Sequence, residues 1–389
     1  MARTPNVEVS GAVLKWAREQ RGLSTDLAAK RAGLTPTKLI VIERNEGSPT
    51  LAQLRKLAET YRRPLIVMLL DEPPTSFQPL TDYRRLPDSE LNEYSPELRD
   101  EMRRSILQRD TFAELSSLEG ATLAEVRLPS NSNDAALLAS QIRDVIGVRY
   151  EEQRQLRDKD QALRFWKSKI ENLGILVLET SRVHMSEMRG FSLVDGIPLV
   201  IVLNGEDSAR GKVFTLLHEF AHLCLRSAGV CDLHSRSQSS NDIEVYCNAV
   251  AGAALIPEAS IRSNTTVSAH QIGSHWSDDE LVRIRESFGG ASEEAILRRL
   301  VDLGLATGSE YDAKRAEYLA SYDEFRKTRS KTSKGGPPPY RMELRDRGRP
   351  FIRVALTAYG DGHLTLSELS DTVGLRVKHL NALQREAFR

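Results

Sequence analysis

The stretch Phe214-Thr215-Leu216-Leu217-His218-Glu219-Phe220-Ala221-His222-Leu223-Cys224-Leu225 constrains this chain more than any other. It sets two histidines and a glutamate inside a run that is otherwise apolar and long enough for a helix. Four residues apart, His218 and His222 stand one turn apart on the same helical face, where two imidazoles can grip one Zn²⁺. Glu219 lies beside that ion. A carboxylate there can take a proton from a water whose pKa the metal has lowered. Two histidines and a glutamate are costly to bury without partners, so a metal accounts for the run better than a coincidental core does.

A third ligand is sought downstream. Residues Asn241 to Pro257 read as one helix, with Asn241 as its cap, Asp242 and Glu244 in its first turn, and Pro257 at its end. Small residues from Ala249 to Ala254 let such a helix lie close to another. Glu244 can then complete a His₂Glu set with one open position, while His234, Cys231 and Cys247 stand as rival ligands. Upstream, Ile175–Leu178, Gly190–Val194 and Ile197–Leu203 read as strands, and Asp195-Gly196 as a hairpin turn joining the last two.

In these residues the chain resembles the ImmA/IrrE-type metallopeptidases. The resemblance runs from Ile197–Asn204, through Gly211–His222, to Glu244, Asn248–Ala251 and Leu255-Ile256-Pro257. It implies that His218, His222 and Glu244 hold zinc and that Glu219 is the catalytic residue. It also implies a protein substrate, typically a partner transcriptional repressor. Tyr246 stands where many relatives carry a second glutamate, which favours Glu244 as the ligand here.

Lys plus Arg equals Asp plus Glu at 54 each, so any preference for nucleic acid has to be local. Three cysteines, none in a C-x-x-C pair, read as reduced thiols rather than a disulfide framework. With no long apolar run and no signal-peptide pattern, the expectation is a soluble, cytoplasmic protein that avoids membranes.

Local charge appears at the start. Twelve Lys/Arg against six Asp/Glu lie in residues 1–70. There Val13, Leu14 and Ala17 mark one helix, Ser24 opens a second to Ala32, Gly33-Leu34-Thr35 turns, Pro36–Arg44 makes a third, and Thr50 caps Leu51–Tyr61. Leu23-Ser24, Leu27-Ala28, Gly33-Leu34-Thr35, Ile42-Glu43-Arg44 and Pro49-Thr50 resemble the phage-repressor-like XRE helix-turn-helix family. That resemblance implies DNA binding, with Thr37, Lys38 and Arg44 as candidate contacts. Ile40 and Val41 occupy positions commonly polar in the family; they can touch a thymine methyl but cannot form bidentate bonds to a base. A protein-binding or dimerisation role, in a homodimer, is the other reading of this module.

The chain is therefore expected to be multidomain and mainly α. An all-α helix-turn-helix spans 7–70 and a Pro-rich linker 71–82. An α+β, zincin-like metallopeptidase domain with a small sheet and helical flanks spans 83–328. A basic linker covers 329–339 and a small helical C-terminal module 340–389. In the flank, Leu98, Met102, Ile106, Leu107, Phe112, Leu115 and Leu118 form one stripe, and the many arginines read as a solvated face. The C-terminal module, helix, Gly turn and helix from Thr365 to Leu383, reads as a docking module, with a second DNA reader as the alternative. His270, His275 and Tyr246 are candidate oxyanion donors. Cys224 or Cys231 is a candidate latch thiol for the open zinc position. The functional expectation is a zinc-dependent endopeptidase that cleaves a regulatory protein. The alternatives are a non-catalytic sensor attached to a transcriptional regulator and an interaction protein of a toxin-antitoxin or phage-defence system.

Overall fold

The structure, a computed structural model, describes residues 6–74, 94–129, 134–225, 229–231, 238–271, 273–318 and 336–389. The chain separates into two compact units, Met1–Arg104 and Ser105–Arg389. It is mainly helical, with a small sheet in the second unit.

The first unit holds α1 (Gly11–Gln20), α2 (Thr25–Ala32), α3 (Pro36–Glu43) and α4 (Leu51–Tyr61). Their starts follow from the caps. The Ser24 hydroxyl accepts from the Leu27 N–H, Thr35 caps α3 ahead of Pro36, and Thr50 forms a capping box with Gln53. Between α2 and α3, Gly33 takes φ +68°, a left-handed turn that favours glycine. Leu14, Leu39, Ile42, Leu54 and Leu57 close the core. Arg18 donates twice to the Glu43 carboxylate, at 2.7 and 2.9 Å, and so ties α1 to the end of α3. The expected helix-turn-helix is present.

A long helix, Pro96–Leu118, passes from the first unit into the second. Its first turns join the first unit through Arg31–Glu97 at 2.8 Å and Arg21–Asp100 at 2.9 Å. Of the expected stripe, Leu98, Met102, Ile106, Phe112 and Leu115 are buried, but Leu107 and Leu118 are exposed. Leu107 follows Ile106 directly, about 100° around the helix, and so leaves the face. Residues 75–82 of the expected linker, and 329–335 of the second, lie outside the described residues.

In the second unit, β1 (Leu176–Thr180), β2 (Gly190–Leu193), β3 (Val200–Asn204) and β4 (Gly229–Cys231) form a mixed sheet in the order β1-β3-β2-β4. β1 runs parallel to β3, and β2 is antiparallel to both β3 and β4. The Asp195-Gly196 hairpin expectation is corrected. Leu193 pairs with Val200, so residues 194–199 form a longer connection. Pro198 has no N–H to give a ladder, which excludes Ile197–Leu199 from the strand.

The Leu176 N–H bonds to Leu199 O, and Thr180 O accepts from Gly205, so these residues of β1 face β3. Val177 and Glu179 therefore aim their backbone groups the other way. Gly348 sits at that outer edge: a Cβ there would come within 2.9 Å of Val177 O. It joins helices Pro339–Arg347 and Arg349–Gly360 of the C-terminal module, which continues with Leu366–Val373 and Leu380–Ala387. The Gln108 amide donates to Arg347 O at 2.7 Å, fixing the same junction.

Candidate metal centre

The motif helix, Ala209–Leu225, packs on β2 and β3, with helix Lys159–Glu171 and the helix Gln238–Leu255 beside it. Its surroundings explain why three polar side chains sit in a buried helix. Val213, Leu216, Leu217, Phe220 and Ala221 are wholly buried, and around them lies a core that includes Trp166, Ile201, Leu203 and Val250. Within that apolar frame His218, Glu219 and His222 are each no more than 2 % exposed.

The motif helix is pinned at its start by a buried charge cluster. Glu179 on β1 accepts from Lys167 and from Lys212, each at 2.8 Å. Burial pushes the Glu179 carboxyl up, but the two ammonium groups outweigh it and hold it at about 2. Lys212 lies on the motif helix and Lys167 on its neighbour, so one carboxylate joins the sheet to both helices.

Glu244 stands on the helix Gln238–Leu255, which begins three residues before the expected cap, so Asn241 lies inside the helix. The other end of that helix is secured from three sides. Arg143 donates to Ala254 O at 2.7 Å, Gln153 to Leu255 O at 2.8 Å and Arg299 to Ile256 O at 3.1 Å. These donors satisfy carbonyls that a helix end leaves open, and the two guanidiniums suit its negative end. Arg143 therefore turns inward, against the expectation of a solvated arginine face; Arg109 is also buried and bonds to Asp195 O.

The ligand-type atoms converge. His218 Nε2 and His222 Nε2 lie 3.0 Å apart, and the two Glu244 oxygens lie 3.2 Å from His218 Nε2 and 3.1 Å from His222 Nε2. Among the described residues this trio is the group suited to hold a metal ion, its ligand atoms all within 4.8 Å of one another. Two ring nitrogens this close need a proton or a metal ion between them, since two bare lone pairs would repel. Burial pushes Glu244 up, yet hydrogen bonds from the two imidazoles hold it at about 2. Burial likewise pushes His222 down, and contacts with Cys247 and Glu244 lift it to about 11. The same field that favours a proton there favours a divalent cation. Two imidazoles and a carboxylate fit the donor set of a catalytic zinc site.

Glu219 faces β2. Its carboxylate is fully buried, and burial drives its pKa upward against the opposing pull of His222, His218 and the Ser192 hydroxyl. The Ser192 hydroxyl on β2 is the side-chain hydrogen-bond partner of that carboxylate. Gly190 permits this packing. A Cβ at that position would meet Thr215 Cγ2 at 2.6 Å and Glu219 Oε1 at 3.2 Å.

A cleft of about 180 Å³ opens beside the trio, its walls including His218, Glu244, Arg189, Arg298, Arg315 and Tyr311. The Tyr311 hydroxyl donates to Glu294 at 3.3 Å, and Arg298 lies over its ring. His270, His275 and Tyr246, candidate oxyanion donors that the sequence left unassigned, do not line this cleft. His270 stacks on Trp276 and bonds to Glu280 at 2.9 Å, His275 is exposed beside Glu310, and Tyr246 packs against the core. Tyr311 is the polar hydroxyl that sequence reading missed; no spacing links it to the motif.

Cys247 is buried beside His222. Cys224 is buried too, its thiol pushed up to about 12, which leaves it protonated and unsuited to a latch. The backbone of Cys231 pairs with Gly190 in β4, while its side chain and His234 lie outside the described residues. In the first unit, Thr37, Lys38 and Arg44 are exposed on and just after α3, next to exposed Ile40. No described helix is long and apolar enough to cross a membrane.

Residues 170–301 match the peptidase M78 family, described as the IrrE N-terminal-like domain, and residues 14–67 match the helix-turn-helix family. No curated protein and no solved structure matches the chain.

Proposed function

We propose that this IrrE N-terminal-like domain, carried with a helix-turn-helix, is a zinc-dependent endopeptidase that cleaves a regulatory protein, a transcriptional repressor by class. The convergence of His218, His222 and Glu244 within a buried site is the observation that carries this reading. Those three residues would hold the zinc. When bound, the ion supplies a water of lowered pKa and polarises the scissile carbonyl.

The chain's own residues do the rest. Glu219, its pKa raised by burial, accepts a proton from the attacking water and returns it to the leaving amine. The substrate segment lies in the cleft, where Arg189, Arg298 and Arg315 favour an acidic stretch. The Glu179 cluster and the capped end of the Glu244 helix hold the two ligand-bearing helices in register. The helix-turn-helix directs the enzyme to DNA through Thr37, Lys38 and Arg44, at the sites where such a repressor is bound.

Zinc per chain in protein purified without chelator, beside Glu244→Ala, tests the reading. About one zinc per wild-type chain, lost in the variant, is expected. Failure to bind zinc when it is supplied would overturn it. Glu219→Gln then separates enzyme from sensor: it keeps zinc and loses cleavage.

A further inference from the structure

We infer that the C-terminal module is a second helix-turn-helix and reads B-form DNA in the major groove, in addition to the unit at the N-terminus. The two modules correspond position by position. Counted 341 residues on, the turn glycine Gly33 becomes Gly374, and their φ values are +68° and +70°. The cap of α2, Ser24, becomes Thr365, whose hydroxyl accepts from the third helical N–H as the serine's does.

Six core positions, two on each helix, follow the same offset, while Val13, Leu23 and Ala29 correspond to half-buried Val354, Leu364 and Ser370. Leu14 and Ala17 of α1 become Ala355 and Ala358, Ala28 and Ala32 of α2 become Leu369 and Val373, and Leu39 and Ile42 of α3 become Leu380 and Leu383. Each is no more than 5 % exposed in both modules. Arg349–Gly360, Leu366–Val373 and Leu380–Ala387 follow one another as α1, α2 and α3 do; the first packs against the other two, whereas in the first unit α3 packs against both α1 and α2. One departure is local: the last helix is led in by a 3-10 turn, Val377–His379, where α3 begins as regular helix at Pro36.

The exposed face of the last helix carries chemistry that α3 lacks. The offset takes Ile40 to Asn381 and takes Glu43, which is tied to Arg18, to Gln384. Asn381 and Gln384 are both exposed, as are Arg376, Lys378 and Arg385. Asparagine and glutamine can bond adenine in bidentate fashion and arginine can do so with guanine, which an isoleucine cannot. From residue 376 to 389 there are four Lys/Arg and one Glu, so positive charge gathers on this helix and its approach. The module's acidic Glu368 and Asp371 lie on the preceding helix, where Glu368 is engaged by Thr365. Base-reading amides beside phosphate-seeking cations on a second helix of this geometry fit duplex DNA better than a protein docking surface.

The experiment is selection from duplexes with a randomised 30-base-pair core by the full chain, with the salt dependence of binding measured on the enriched duplex. It needs no bound metal, so its result is separable from the peptidase reading. Asn381→Ala with Gln384→Ala is expected to lower base preference roughly tenfold or more at the positions they read. Arg376→Ala with Lys378→Ala is expected to reduce the slope of log K against log salt by about two. All four residues are exposed, so the thermal midpoint of each variant should match wild type, which separates lost contacts from lost folding. Identical enriched sequences and identical salt slopes in wild type and variants would overturn the proposal, as would absence of binding by the wild-type chain.

Discussion

The motif helix and α3 break the burial rule in opposite senses. The first hides His218, Glu219 and His222 in an apolar core; the second exposes Ile40 beside Thr37 and Lys38. A buried polar group demands compensation inside the molecule, and the motif helix has it in Glu244 and in the Glu179 cluster. An exposed apolar residue demands nothing from the fold, and taken singly it implies no partner. Chemistry is therefore written into the surroundings of the first helix and only onto the surface of the second.

Changes within the motif helix and its supports should be large, and changes on α3 small. The largest effect is expected for Glu219→Gln, which removes the proton acceptor while keeping shape: hydrolysis of the substrate protein should fall about 10²- to 10⁴-fold at unchanged zinc content. Next comes Glu179→Gln, which leaves Lys167 and Lys212 charged and short of their partner. Denaturant unfolding should show a loss of about 3–5 kcal/mol, as for other buried pairs broken on one side.

The same cluster gives a pH signature. Glu179 is held at about 2 in the folded chain, below the ~4.3 of an unfolded glutamate. The stability it contributes is whole above about pH 4.5 and disappears as pH falls toward 2. Wild type should lose thermal stability between pH 5 and 2.5 more steeply than Glu179→Gln; equal slopes would mean that the cluster does not set the acid response.

A smaller loss is expected at Gly190. The alanine methyl would press on Thr215 and Glu219, costing about 1–3 kcal/mol by overpacking and lowering cleavage along with stability. The smallest effect belongs to Ile40→Thr, which should leave stability within about 0.5 kcal/mol and change only affinity for a cognate duplex. A large drop in thermal midpoint there would erase the contrast between the two helices.

What sequence made legible was what lies close along the chain. The four-residue step from His218 to His222, the helix starts at Ser24 and Thr50, and the turn at Gly33 are local signals, and each fixes geometry within a turn or two of helix. Glu244 was within reach because its own helix could be recognised. Glu179 was not, since it sits at the end of an apolar strand and its partners are 12 and 33 residues away. Arg143, Gln153 and Arg299 share no spacing at all; their common role appears only when three helices bring them to one helix end. The connection after Leu193 misled for a different reason: Asp195-Gly196 is a good turn pair, but Pro198 shifts the return strand to Val200.

The seat of Gly348 against β1 also bears on how the sheet meets other chains. A strand edge with unpaired N–H and C=O groups is a template for a stranger's strand, and proteins commonly shield it. Here the outward Val177 carbonyl is covered by the junction between the two helices that open the C-terminal module. Trimming residues 336–389 would uncover the outer edge of β1 at Val177 and give this chain a route to self-association through that edge.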